Sequence, residues 1–265
     1  MTIALTIAGS DPTGGAGLQG DLRTFAAHGV HGLSAITCVT VQGTRGVRAV
    51  VALEPSLVRA QIDVVLDDLE GRVPVAKLGA LATADIVRAV ADALDARPGM
   101  LVVADTVIAA SSGARLLDDA GVDALVSRIL PRAALVTPNA EELRILAELD
   151  GPVVDEGGLL AGARALLRRG ARAVLAKGGH LPGAPIDLLV TDDSVLRLVG
   201  ERIDSACTHG TGCTLASAIA AHLALGRPLE QAARRAKAYV ADAMRSATPI
   251  GPGKSPLAHF APKNP

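Results

Sequence analysis

Two loops and a handful of isolated polar residues carry the chemistry this chain can do. The run Thr208-His209-Gly210-Thr211-Gly212-Cys213-Thr214 leads straight into Leu215-Ala216-Ser217-Ala218-Ile219-Ala220-Ala221, a stretch of good helix formers. Amide N–H groups at a helix start have no intrahelical acceptor, and the helix dipole adds partial positive charge. The loop therefore predicts an anion site of phosphate size. Cys213 stands in the same field, which predicts a thiol more acidic than that of Cys38, placed inside a strand. The same residues also fit a capped loop-to-helix junction with a buried cysteine.

The first loop, Gly9-Ser10-Asp11-Pro12-Thr13-Gly14-Gly15-Ala16-Gly17, follows an apolar strand and leads to Asp21. It is rich in glycine but does not spell G-x-G-x-x-G, so a dinucleotide fingerprint fails. A plain turn, with Asp21 as a first-turn acid, is the alternative. Gln42 closes an apolar strand. Its amide suits the edge of a heteroaromatic ring, and equally the backbone of a loop.

Asn139 and Glu142 follow Thr137-Pro138 and share one face of a first helical turn. They suit water around Mg²⁺ between phosphates, or a capping box. Lys177, before Gly178-Gly179, offers a point charge to a nucleotide phosphate or to solvent. Two patterns are set aside. Gly253-Lys254-Ser255 mimics the end of a P-loop, but Thr248 stands where glycine is required and Pro256 interrupts the helix. Cys207, His209 and Cys213 match no usual zinc spacing and lack a fourth ligand.

These residues fall at the ends of predicted elements. Short β-branched runs read as strands over 3–8, 34–41, 75–78, 101–105, 134–137, 173–177 and 188–190. Helical patterns lie over 17–28, 57–69, 84–94, 122–130, 141–149 and 159–169, and two long helices over 211–225 and 229–247 close the chain. Thr248 to Pro265 reads as an irregular strap. Such alternation predicts an α/β fold with a mostly parallel sheet between helices, and the absence of a linker predicts one domain over 1–265. Ligands of such sheets collect at the carboxyl ends of the strands. Ser10, Gln42, Asp105, Asn139 and Lys177 all stand there.

Composition narrows the partners. The net charge of −1 leaves no electrostatic footprint for nucleic acid or an anionic membrane. Phe25, Tyr239 and Phe260 are the only aromatic residues besides histidine, too few for base stacking. No apolar run reaches the roughly 18–20 residues that span a bilayer, and Met1 to Gly9 reads as a first strand, not a signal peptide. Three cysteines are odd in number and too few for a disulfide framework, so a reducing cytoplasm is expected.

Taken together, the segments resemble the bacterial hydroxymethylpyrimidine/phosphomethylpyrimidine kinases of the ribokinase-like superfamily. The resemblance runs from Ala8 to Leu22 through Thr40-Val41-Gln42, Lys77-Leu78-Gly79, Asp105-Thr106-Val107, Thr137-Pro138-Asn139 with Glu142, and Lys177 to Leu181. It ends with Thr208 to Thr214, Ala236 to Val240, Pro256 and His259-Phe260. It implies a three-layer α/β/α sandwich without the large lid of sugar kinases. It also implies ATP and Mg²⁺, and two phosphorylations in thiamine biosynthesis: of a hydroxymethylpyrimidine, then of its monophosphate.

By position, Gln42, Gly9, Asp21, Ala80 and Val107 would surround the pyrimidine, and Gly210, Thr211, Gly212 and Cys213 would form the anion hole, with Cys213 as base. Lys177, Thr208, Asn139 and Glu142 would serve ATP. Glu142, Asn139 and Asp105 would serve Mg²⁺, partly through water. A homodimer is implied by the family alone. Ala80 replaces a common methionine, Gly43 an asparagine and Ser111 a lysine. A pyridoxal or pyridoxine kinase, or a catalytically idle pyrimidine-binding protein, are the competing expectations.

Overall fold

Strands that are apolar at every position need cover on both faces, and the chain supplies it. In the computed structural model, which describes residues 1–70, 72–110 and 112–260, strands and helices alternate from β1 (Ile3–Ser10) onward. They continue as α1 (Gly17–Ala27), β2 (His31–Gly43), β3 (Gly46–Ala52), α2 (Pro55–Asp68), β4 (Val75–Leu78), α3 (Ala84–Asp95) and β5 (Leu101–Ala104). Next come α4 (Asp119–Ala124), which runs on into a wider turn over Leu125–Ile129, then β6 (Leu135–Val136), α5 (Ala140–Leu146) and α6 (Glu156–Arg168). The chain closes with β7 (Val174–Lys177), β8 (Ile186–Val190), β9 (Val195–Val199), α7 (Thr211–Ala224) and α8 (Leu229–Arg245).

Among the described residues the strands form one sheet in the order β3-β2-β1-β4-β5-β6-β7-β8-β9. The pairs from β2 to β7 are parallel, while β3, β8 and β9 add antiparallel edges. Side chains alternate faces along each strand. Ile3, Leu5, Ile7, Ala76, Val102 and Val136 join the core under α2 to α6. Ala4, Val75, Val103, Leu135 and Leu175 join the core under α1, α7 and α8. Three layers result, as expected.

The expectation departs from the structure at β3 and β9, neither of which was read as a strand. Both are hairpin partners, and a search for strand-then-helix alternation passes over them. No helix among the described residues is long and apolar enough to cross a membrane.

The topology selects the site. β1 has β2 on one side and β4 on the other, and α1 and α3 leave the ends of β1 and β4 toward opposite faces. A crevice opens where the winding reverses, beyond the carboxyl ends of these strands.

Candidate active site

The loop before α7 meets the first loop at that crevice. Gly210 is the N-cap of α7 with φ +85°, and a Cβ there would fall 1.8 Å from Gly15 O. Only glycine permits both the left-handed backbone and this approach. The first turn of α7, at Thr211, Gly212 and Cys213, stays partly exposed at its open end. Thr208 closes the turn with its carbonyl 3.5 Å from Thr211 N.

Cationic and anionic side chains converge beside that turn. A Cβ on Gly212 would lie 3.2 Å from Lys177 Nζ and 3.9 Å from Asp105 Oδ2. Lys177 Nζ donates to Asp105 Oδ1 at 3.0 Å, and Thr137 Oγ1 donates to the same oxygen at 3.1 Å. Burial alone would raise the Asp105 pKa, but Lys177 and Lys77 together hold it below the usual carboxylate range. Asn139 sits beside Lys177 through a parallel backbone bridge. The anion loop, Lys177, Asp105, Asn139 and Glu142 are thus brought together from four separate stretches of chain.

The capping box between Asn139 and Glu142 is fully formed. Asn139 Oδ1 accepts from the N–H groups of Glu141 and Glu142 at 3.0 Å each, and Glu142 Oε2 accepts from Asn139 N at 2.8 Å. This corrects one expectation. The Asn139 oxygen is committed to the helix cap, so its remaining polar group is the Nδ2 amide, a donor suited to phosphate and not to a cation. Glu142 Oε2 also accepts from Thr106 Oγ1 at 3.3 Å. Burial drives the Glu142 pKa up to about 7, with Asp105 adding to the rise and Lys177 opposing it.

At the ends of β1 and β4, Gly9 and Ala80 come together over Cys38. A Cβ on Gly9 would meet Cys38 Sγ at 2.6 Å and Ala80 Cβ at 3.8 Å. Thr37 Oγ1 donates to Ala80 O at 2.6 Å and fixes that wall. Val107 stands two residues beyond Asp105 and is partly exposed. Gln42 is partly exposed, with Thr40 Oγ1 donating to its Oε1 at 3.3 Å and His209 Nε2 lying 3.2 Å from its Nε2. His209 Nε2 also lies 2.7 Å from Asp11 Oδ2. Asp11 in turn accepts from the N–H groups of Thr13 and Ala16 at 2.9 Å each. Burial raises its pKa, but the bonds from His209 and those amides leave it lowered overall. His209 Nε2 donates to Asp11 and so ties the two glycine loops together beside Gln42, a link across 198 residues that the sequence does not announce. A histidine and an aspartate in two neighbouring glycine loops were the available signal. Ser111 lies outside the described residues.

Two further expectations are corrected. Asp21 does not face the crevice: it is fully buried, and its oxygens accept from Thr6, Ser217 and Lys77. With its oxygens already shared among three donors inside the protein, it has no edge to offer a ring. Cys213 is not acidified in the free protein. Burial pushes its thiol up to about 12, with Asp105 and Asp21 adding to the rise, against the opposing pull of Lys77 and the Gly17 N–H. The field of a helix N-terminus is outweighed by two nearby carboxylates and lost water. The Cys38 thiol is raised as well, by burial.

The comparisons with known proteins bear on this arrangement. A profile of the phosphomethylpyrimidine kinase family matches residues 11–258. The hydroxymethylpyrimidine/phosphomethylpyrimidine kinase of Rhizobium meliloti is 46% identical over 263 residues, covering 97% of each chain. Among solved structures, an ADP complex of Bacillus subtilis pyridoxal kinase superposes with a TM-score of 0.90 at 30% identity, covering 98% of both chains. A phosphomethylpyrimidine kinase from Clostridium difficile 630 superposes with a TM-score of 0.80 at 33% identity, covering 92% of this chain and 99% of that one. The profile begins inside the first glycine loop at Asp11 and spans the second loop and every charged residue converging on the two, and the chain belongs to the phosphomethylpyrimidine kinase family.

Proposed function

We propose that the protein transfers the γ-phosphoryl group of ATP to the hydroxyl of 4-amino-5-hydroxymethyl-2-methylpyrimidine, and then phosphorylates the resulting monophosphate to the diphosphate, in thiamine biosynthesis. The observation that carries this reading is the first turn of α7, with Cys213 on it and Gly212 packed against Lys177 and Asp105. Phosphoryl transfer asks mainly for positioning and charge stabilisation. Loop amides from Gly210 to Cys213 receive the transferred group, and Lys177 Nζ and Asn139 Nδ2 hold the nucleotide phosphates. Once its own proton has passed to solvent, the Cys213 thiolate takes the proton as the hydroxyl oxygen attacks phosphorus and the bond to the ADP oxygen breaks. Gln42 and its partner His209 read the ring edge, with Gly9, Ala80 and Val107 around it.

The donor set fits Mg²⁺. Asp105 and Glu142 bring two hard oxygen donors to one place beside Lys177, with Lys77 the second ammonium near Asp105. No group of three or more metal-ligating His, Cys, Asp or Glu side chains occurs among the described residues, so these two carboxylates would share the ion with water and phosphate oxygens. When bound, it would neutralise charge between the β- and γ-phosphates.

An assay of ATP consumption with the pyrimidine, its monophosphate and pyridoxal tests the proposal. Turnover of both pyrimidines above that of pyridoxal is expected. A preference for pyridoxal would overturn the substrate assignment, and no pyrimidine-dependent consumption would overturn the activity.

Two outcomes follow from single residues. Gln42→Ala is expected to raise the pyrimidine KM roughly tenfold, the cost of a lost amide partner to the ring, while the ATP KM hardly moves. Equal damage to both KM values would make Gln42 structural. Glu142 predicts proton release. Near pH 7 its carboxyl is about half protonated, so Mg·ATP binding should expel roughly half a proton per site. Binding enthalpies measured in buffers of different ionisation heat report this, and Glu142→Gln should erase the buffer dependence.

The sign for stability is also defined. A carboxyl raised from 4.5 to about 7 stabilises the fold below pH 4.5, and that contribution is lost as pH rises through 7. The free protein should therefore lose on the order of 1–3 kcal/mol over this window, and Glu142→Gln should flatten the profile. Equal slopes in both proteins would discard the shift.

We further propose a homodimer working in the cytoplasm. Val39, Val41 and Val51 share one face of the β2–β3 edge, with Val39 opposite Val51, and remain 45%, 53% and 59% exposed. A second copy of the chain is the occupant proposed for this patch. Sedimentation of wild type against Val41→Lys tests it.

A further inference from the structure

Beneath the anion loop lies an ion pair that the chemistry above leaves unused. Lys77 in β4 and Asp21 in α1 are both fully buried. Lys77 Nζ donates to both Asp21 oxygens at 2.9 Å. The same carboxylate accepts from Thr6 Oγ1 and from Ser217 Oγ, each at 2.6 Å. Ser217 follows Cys213 by four residues in α7, so the two stand one turn apart on one face of the helix. Asp21 thus ties α7 to β1, β4 and α1 one turn below the residue assigned as the base. A buried ion pair is rarely worth more to stability than apolar side chains of the same volume. A lysine within Val75-Ala76-Lys77-Leu78 therefore asks for another reason.

We propose that Lys77 is a positioning residue of the reaction: its ammonium, fixed by Asp21, favours the thiolate form of Cys213, the form that takes the proton of the attacking hydroxyl. This rests on the reading of Cys213 as the base. The charged groups acting on Cys213 are Lys77 from β4, Asp21 from α1, Asp105 after β5 and Lys177 from β7. The two lysines differ in access. The Lys177 side chain keeps 13% of its surface exposed and can turn to a phosphate, whereas that of Lys77 has none. When nucleotide draws Lys177, Lys77 stays with Cys213. The attraction is mutual, since Cys213 and Asp105 both act to keep the Lys77 ammonium charged.

Lys77→Met alone strands a buried carboxylate and is expected to fold poorly. The paired change Lys77→Met with Asp21→Asn removes both charges and leaves an amide whose oxygen accepts from one of the Thr6 and Ser217 hydroxyls while its NH₂ donates to the other. Asp21 opposes part of what Lys77 provides to Cys213, so in protein shown to be folded by its thermal transition this pair is expected to lower kcat by a net of about threefold or more, with both KM values within about twofold. Alkylation of Cys213 by iodoacetamide in the free protein, followed by mass spectrometry at alkaline pH, should slow by a similar factor. In a Cys213→Ala background the same pair should change kcat less than about twofold, because the group it serves is gone. Equal losses in both backgrounds would make the ion pair merely structural, and unchanged kcat and alkylation would overturn the proposal. If wild type fails to phosphorylate the pyrimidine, the functional reading falls instead, and the alkylation rates still decide whether Lys77 acts on Cys213.

Discussion

Replacing Cys213 by alanine should lower kcat by about 10²–10⁴-fold, the range for loss of a general base, while the fold and the ATP KM persist. Neither nucleotide affinity nor the packing of α7 rests on the sulfur, since Lys177, Asp105 and the loop amides are all in place without it. The raised thiol adds a signature. Because Cys213 is protonated in the free protein, kcat/KM should climb with pH through neutrality in wild type and lose that slope in Cys213→Ala. Cys213→Asp should recover part of the loss where the carboxylate fits. Near-wild-type kcat in folded, ATP-saturated Cys213→Ala would take the cysteine out of the mechanism and leave the amides and Lys177 to carry it.

Gly210→Ala should be the most damaging small substitution in the chain. Its φ of +85° costs an alanine about 1–2 kcal/mol, and the added Cβ would sit 1.8 Å from Gly15 O and 2.6 Å from Gly15 C. Those are backbone atoms and cannot swing aside, so overpacking adds about 1–3 kcal/mol. A total of about 2–5 kcal/mol should lower Tm by roughly 5–20 °C. The loop amides lose their aim as the two loops part, and kcat/KM should fall at least about 10²-fold. Gly43 and Gly179 have open space where a Cβ would go, so alanine there should stay within about 0.5 kcal/mol of wild type. Equal melting and equal kcat/KM for Gly210→Ala and Gly43→Ala would refute the packing argument.

The layered fold was legible because its cause is local. Runs such as Ile3 to Ala8 and Val75 to Leu78 are apolar at successive positions, and such strands are stable only when covered on both faces. Parallel strands then carry their following loops to one edge, which placed Ser10, Gln42, Asp105, Asn139 and Lys177 there in advance, while the Thr208–Thr214 loop follows the antiparallel β9 and needed the fold to bring it to them. The hairpin strands β3 and β9 escaped because each pairs antiparallel at an edge, where no crossover helix announces it. The capping box of Asn139 and Glu142 was legible as an alternative, since its partners stand only three positions apart.

What the sequence could not assign is what depends on distance through space. Asp21 reads as a polar residue near a glycine loop, yet Ser217, 196 residues away, and Lys77, 56 away, turn it into the centre of a buried network. His209 reads as part of a discarded zinc pattern, yet Asp11, 198 residues earlier, makes it the tie between the two glycine loops. Cys213 reads as an acidified thiol from its helix start alone, and only packing brings Asp105 and Asp21 close enough to reverse the shift. Periodicity and strand direction are properties of consecutive residues, so the chain states them. Desolvation and Coulomb energies depend on which distant segments come to rest side by side, and that is decided only when the sheet has closed.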